Sequence, residues 1–414
     1  MAIKTLRASL GLLATRRFGT FWVASLLSSV GTWTQQVAEP WLLLTLGASS
    51  FVIGLDSFAV TAPVWLLSIV GGGIADHGNR RRVIARLQSI QMLCPILIVV
   101  LMATGQIRAW MIIALSVVVG VTDALSMPSF QSIVPSIVEH DQIGLGLALS
   151  STQFNLSRVI GPSVAGVLMS SVGAQACFAV SALSYVPLIA AALWILPRSA
   201  ARASTALRSS FDEAIVIIRE PPVRNALRIV LTTSGLCAPL VIFSPVLVRN
   251  VFQGTAGQFS GTVAAFGAGG LIGAAGLLAI GPGVDRRRVS ASFAAAYGAI
   301  LILTALNHWA WALPVLFVCA GIVTAISNTS ANTLLQTTAR PDRLGETVGL
   351  YILAISAGNS LGAILTGLSV STLGVRTALF INGAATILAL IDLVRPRPSA
   401  VQAATFAPDT AAVG

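Results

Sequence analysis

The chain has 414 residues, 55% of them hydrophobic and 9% charged, with a mean hydropathy of +0.87. A soluble domain of this length cannot hide so much apolar surface, so lipid has to cover the remainder. A formal net charge of +11 would point to nucleic acid only if the basic residues shared one polar face; they are instead dispersed among alternate loops, which excludes that partner.

A hydrocarbon core of roughly 30 Å requires about 20 largely apolar residues per helix. The sequence predicts twelve such helices, at 18–40, 51–74, 83–104, 109–130, 143–170, 174–196, 224–248, 259–280, 289–306, 309–330, 346–370 and 375–394. All but four of the 25 Lys and Arg then fall on the side of the N-terminus; Arg108, Arg249 and Arg376 fall on the other side, and Arg158 lies inside a helix. Basic loops stay cytoplasmic, so both termini are expected there. The first apolar run begins near Phe18 without a small-residue cleavage pattern and reads as a retained helix.

Residues 1–196 form a first six-helix bundle, 197–223 a linker, 224–395 a second bundle and 396–414 a small polar tail expected to be disordered. Within the Ala-, Ser-, Arg- and Pro-rich linker, Phe211 to Arg219 suits a short surface helix that Pro221-Pro222 would stop. The bundles repeat. At an offset of 201 residues Ser126 pairs with Ser327, Asp141 with Asp342, Gly144 with Gly345, Gly161 with Gly362 and Gly166 with Gly367. A second echo pairs Arg80-Arg81-Arg82-Val83 with Arg286-Arg287-Arg288-Val289.

After the second helix the chain reads Gly72-Gly73-Ile74-Ala75-Asp76-His77-Gly78-Asn79-Arg80-Arg81. Small residues let helices approach closely, and a carboxylate four positions from a guanidinium can pair with it or with a neighbouring helix end. Gly72, Asp76, Arg80 and Arg81 therefore suit a latch between conformations. The corresponding later loop has Pro282 where the acid would fall. Helix five carries Asn155-Leu156-Ser157-Arg158-Val159-Ile160-Gly161-Pro162, then Gly166; Pro162 removes a backbone hydrogen bond, which predicts a kink, and Gly161 and Gly166 permit tight packing.

These stretches resemble the signature loop and the exporter motif of the major facilitator superfamily. Gly31 to Ala38, Asp123, Gln131 to Pro135, Asn155 to Gly166, and Leu334 to Thr337 with Gly345 resemble the branch containing the enterobactin exporter and macrolide efflux proteins. The resemblance spans about residues 10–395 and implies an all-α membrane fold of two pseudo-symmetric six-helix bundles with substrate between them. It also implies alternating-access export of a small amphipathic molecule, a siderophore or antibiotic among them, across the bacterial inner membrane. Import of a small polar solute, or a transporter-like receptor or assembly role, is the alternative.

Ionisable residues within spans are costly and line a cavity or pair with one another. Asp123, Glu39 and Asp56 are the candidates for proton coupling, with Asp123 equally suited to partner Arg80 or Arg81, and Glu39 and Asp56 near enough to the outer face for plain solvation. Arg158 is the candidate for substrate contact or coupling, or else for pairing with a carboxylate or with carbonyls freed by Pro162. Asn155, Gln35, Gln36, Trp33, Asn332 and Asn359 complete the expected cavity, with interhelical hydrogen bonding or packing as their alternative roles. Cys94, Cys177, Cys237 and Cys319 are isolated and read as buried packing thiols. No nucleotide-binding loop is possible around the single lysine, Lys4; the three His form no metal pair. No enzyme activity, metal or cofactor is expected, and the partners are a small molecule, protons and lipid, with the chain a monomer.

Overall fold

The computed structural model describes residues 9–77, 80–131, 133–195, 217–277, 284–338 and 344–394, with the side chains of 68–80, 128, 131 and 344–346 excepted. The first bundle contains α1 (Arg16–Thr45), α2 (Ser50–His77), α3 (Arg80–Ala103), α4 (Ala109–Gln131), α5 (Ile143–Ser171) and α6 (Ala174–Trp194). The second contains α7 (Pro221–Val251), α8 (Ala256–Leu277), α9 (Arg286–Leu306), α10 (Ala312–Thr338), α11 (Leu344–Leu373) and α12 (Val375–Val394). Two π-helical stretches, Thr233–Cys237 and Leu247–Val251, interrupt α7.

Among the described residues, 10 helices are apolar enough to cross a membrane on composition alone. The two below that level are α1 and α5, with 30 and 29 residues. At 1.5 Å per residue each still reaches about 44 Å, longer than the hydrocarbon core. Their hydropathy is lowered by the side chains singled out above: Gln35, Gln36 and Glu39 on α1, Asn155 and Arg158 on α5. The surface supplies the complementary sign, since Leu388 is 71% and Leu183 69% exposed, as lipid-facing residues should be. Exposed Trp110, Trp309 and Trp311 stand at one end of the helices and Trp194 at the other, where amphipathic rings favour the membrane interface. Cys319 joins this exposed face, contrary to expectation, while the other three cysteines are buried.

Two prolines stand at notable places in these helices. Residues 217–219 are helical and that helix ends before Pro221, as expected, while Pro221 itself opens α7, because proline in the first turn has no needed N–H to lose and its φ already suits a helix. Pro162 lies inside α5, which continues through it to Ser171. Residues 197–216 of the linker and the tail 396–414 lie outside the described residues.

The packing is uneven along the helix axes. At the end opposite the arginine-rich loops, here the far end, one apolar core joins both bundles: Leu42, Leu43 and Ile53 of the first with Phe243, Phe259 and Phe317 of the second. At the arginine-rich end each bundle keeps its own small cores, around Phe21, Ile84 and Leu188 in the first and around Ile229 and Leu390 in the second. The bundles meet along α2 with α11 and α5 with α8. A Cβ on Gly54 would fall 2.4 Å from the Ala363 carbonyl oxygen, and one on Gly267 would fall 2.5 Å from that of Arg158, so both contacts require a bare Cα. Trp41 of α1 closes the far end, stacked on Phe259 of α8 at 5.5 Å with Arg249 of α7 over its ring at 5.8 Å. Among the described residues the cleft between bundles is therefore closed at the far end and open toward the arginine-rich end.

Candidate functional site

Arg158 sits midway along α5, where that helix meets α8. Its guanidinium lies 5.3 Å from the Trp33 ring centroid of α1 and 5.9 Å from that of Phe266 of α8, so it touches an aromatic face from each bundle. Among the described residues it has neither an ion pair nor a side-chain hydrogen bond, which removes the expected carboxylate partner. The carbonyl that Pro162 leaves without a donor is that of Arg158 itself, and it faces Gly267. Gly161 packs against Trp33 and Gly166 against Ser260 of α8, so the two glycines of the motif serve different neighbours. Arg158 opens with Asn155, Phe266, Gly270, Thr324 and Thr329 on a cleft. Phe154, 51% exposed, meets Trp33 edge-on nearby.

The other expected cavity residues are dispersed. Gln35 turns into the bundle, accepting from Ser181 at 2.8 Å and donating to Glu39 at 3.4 Å, and braces that carboxyl group instead of lining the cleft. Gln36 is exposed. Asn332 accepts from Gln336 one turn away, and Asn359 is half-buried on α11; neither lines the Arg158 cleft.

Glu39 and Asp56 are 7% and 6% exposed, which overturns plain solvation as their explanation. The reason is that α1 continues through Pro40 to Thr45, leaving Glu39 more than a turn below the helix end. Ser116 of α4 lies between the two carboxyl groups, its Oγ 2.7 Å from Glu39 Oε1 and 2.6 Å from Asp56 Oδ1. A hydroxyl has one hydrogen. Ser116 can donate to one carboxylate only, so the second short contact is satisfied when the other carboxyl carries a proton and donates to Oγ. The arrangement can thus store one proton between two acids in a site where, among the described residues, no cation pairs with either.

Asp123 lies two turns further along α4, on the same face as Ser116, and accepts from Gln91 of α3 at 2.9 Å; Gln88 in turn donates to Gln91 at 3.0 Å. Tyr185 of α6 is within electrostatic reach of both Asp123 and Glu39. Ser116, Gln91, Tyr185 and Phe266 were not singled out by sequence, since each is one unremarkable polar or aromatic residue until folding sets it beside a charge. The side chains of Gly72, Asp76 and Arg80 lie outside the described residues. At the corresponding loop of the second bundle Asp285 caps α9, accepting from the amides of Arg287 and Arg288 at 3.0 and 3.3 Å, three residues after Pro282.

Residues 7–411 match the family described as transmembrane secretion effector, of the major facilitator superfamily. The chain belongs to that family. It is 25% identical to the multidrug efflux pump Tap of Mycolicibacterium fortuitum, over 90% of this chain and 94% of that one. It is 22% identical to macrolide efflux protein A of Streptococcus pyogenes, over 92% and 95%. Identity to the staphyloferrin A transporter of Staphylococcus aureus is 28% over 40% of this chain, and that match spans 42% of the transporter's length. Among solved structures, a mutant of the nucleoside transporter NupG superposes with a TM-score of 0.75 at 12% identity, covering 91% of this chain and 99% of that one. A bacterial homolog of the human lysosomal transporter Spinster, inward-facing and unoccupied, gives 0.72 at 15% identity over 91% and 95%. The secretion effector chain is accordingly a multi-pass membrane transporter of the major facilitator fold, not an enzyme, with efflux proteins among its relatives.

Proposed function

We propose that the protein is a proton-driven exporter of small amphipathic molecules that works by alternating access in the bacterial inner membrane, both termini cytoplasmic. The observation that carries the reading is the Glu39–Ser116–Asp56 arrangement. A buried pair of acids sharing one proton is a store that can be filled from one side of the membrane and emptied to the other. Asp123, further along the same face of α4, extends the path toward the arginine-rich end. With that end cytoplasmic, as the distribution of basic residues requires, the cleft faces inward and cargo enters beside Arg158 from the cytoplasm. Relatives named for macrolide and multidrug efflux support the outward direction.

Release outside requires the Trp41–Phe259 closure to part while the arginine-rich ends come together. Gly72, Asp76, Arg80 and Arg81 are placed by sequence at the turn between α2 and α3 to latch that second state. Asp76→Asn should leave membrane abundance unchanged and reduce transport several-fold; unchanged flux would reduce the loop to a topology signal. Reporters fused near Arg108 and Arg376 should read external, and those near Arg208 and Arg343 cytoplasmic.

The decisive experiment uses everted vesicles with a panel of labelled macrolides and siderophores. Acidification of the lumen should drive uptake of at least one compound, a protonophore should abolish that uptake, and Asp56→Asn should abolish it as well. Uptake indifferent to the gradient, or accumulation only in right-side-out vesicles, would overturn the reading.

A further inference from the structure

We infer that the cleft at Arg158 selects organic anions: molecules with a carboxylate or comparable negative group on an aromatic or aliphatic body. The inference rests on the reading of this cleft as the cargo site and narrows it to a charge class. A guanidinium at this depth is costly to insert, and the cost is normally offset by an acid or by backbone carbonyls. Here the buried acids among the described residues are engaged elsewhere in the first bundle. Glu39 and Asp56 share Ser116, and Asp123 accepts from Gln91. Arg158 is left with two aromatic faces, which hold its plane while its N–H donors remain available to the cleft.

The rest of the lining agrees. Asn155, Thr324 and Thr329 add neutral hydrogen-bonding groups, Gly270 leaves room, and among the described residues no acidic side chain lines the space. A cleft with one uncompensated cation, neutral polar groups and aromatic walls attracts an anion and repels a lipophilic cation. Trp33 and Phe266 come from opposite bundles. When the bundles rock, the guanidinium loses one of its two aromatic contacts, so an anion bound to it experiences different surroundings in the two states, as differential affinity requires.

The test is a charge series on one ring system: 1-naphthaleneacetate, its neutral amide and 1-naphthylmethylammonium, titrated calorimetrically into the purified full-length protein in detergent. The carboxylate should bind at least tenfold more tightly than the amide, and the ammonium more weakly than either. Arg158→Gln should bring carboxylate and amide within about twofold of each other, whereas Arg158→Lys should keep a reduced preference, since it retains charge without the planar fork. Melting of each variant is followed in parallel; should Arg158→Gln not fold, the wild-type series and Arg158→Lys still decide. Equal affinity of the wild type for acid and amide, no binding of the acid, or a tenfold preference surviving in Arg158→Gln would overturn the inference. These measurements need no transport. Gradient-driven macrolide efflux without anion preference would defeat this inference and leave export standing, whereas anion preference without gradient-driven efflux would do the reverse.

Discussion

In the first bundle Glu39, Asp56, Asp123 and Arg158 all lie within helices, and the three acids are held by Ser116 and Gln91 from neighbouring helices. The second bundle repeats the architecture without the charges. Its helices α7 to α10 contain no acidic residue, and Thr324 and Asn359 stand at the repeat positions of Asp123 and Arg158. Among the described residues its ion pairs, Arg228 with Asp392 at 2.8 Å and Arg287 with Asp285 at 3.5 Å, are both at the arginine-rich end. It contributes instead the wall that meets the first bundle: Phe266 and Gly267 against Arg158, Phe259 against Trp41. The difference separates two tasks. On the proposed reading, proton storage lies inside one group of helices, where rocking would leave its geometry intact, and cargo contact lies across the seam, where rocking would change it.

The largest expected effect follows from putting the proton in the first bundle alone. Glu39→Gln with Asp56→Asn should lower proton-driven flux by about a hundredfold or more, the scale of a positioned proton-transfer group, while Thr324→Val at the repeat position of Asp123 should change the proton dependence little. Gradient-dependent uptake in reconstituted vesicles measures both, and a loss of coupling in Thr324→Val equal to that in the double variant would end the division of tasks.

Next in size is the pair Arg158 and Asn359, equivalent by repeat but unequal in surroundings. Arg158→Ala should reduce flux by tenfold or more at normal membrane abundance, whereas Asn359→Ala should stay within about threefold, as expected for one interhelical polar group. Comparable losses at both positions would make the cleft symmetric and shift the search for cargo contacts to α11.

A smaller change is expected at the closure. An aromatic pair adds about 0.5–1.5 kcal/mol, so Trp41→Ala should move the equilibrium between the two openings by roughly three- to tenfold. A cysteine introduced by Val263→Cys should then react faster with a membrane-impermeant thiol reagent applied from the far end. Smallest of all, Arg228→Ala should shift stability in detergent by less than about 1 kcal/mol, because exposed ion pairs contribute little; a large drop in melting temperature would mean that the second bundle depends on charge after all.

The span pattern, the halving of the chain and the helix-five motif were legible in sequence because a membrane imposes one requirement, apolar length, on every helix in turn. Arg158 stood out for the same reason, since a lone guanidinium in an apolar run violates that requirement. Its surroundings were not. Whether a cation in a span pairs, solvates or faces a cleft depends on residues such as Phe266, more than a hundred positions away, and only packing brings those together. Likewise Glu39 and Asp56 read as two acids near a surface, Glu39 because a helix end judged at Pro40 placed it there and Asp56 because it lies near the start of α2; the longer α1 buries Glu39, and Ser116 of α4 joins the two. Gln35 changed from a cavity residue to a brace because an amide on a helix faces whichever neighbour the bundle places beside it. Composition and order thus determined the solvent, the architecture and the unusual residues. The tertiary structure decided which of those acids meet at Ser116, which cation has no acidic partner among the described residues and at which end those residues leave the cleft open, because these are properties of contacts between helices distant in the chain.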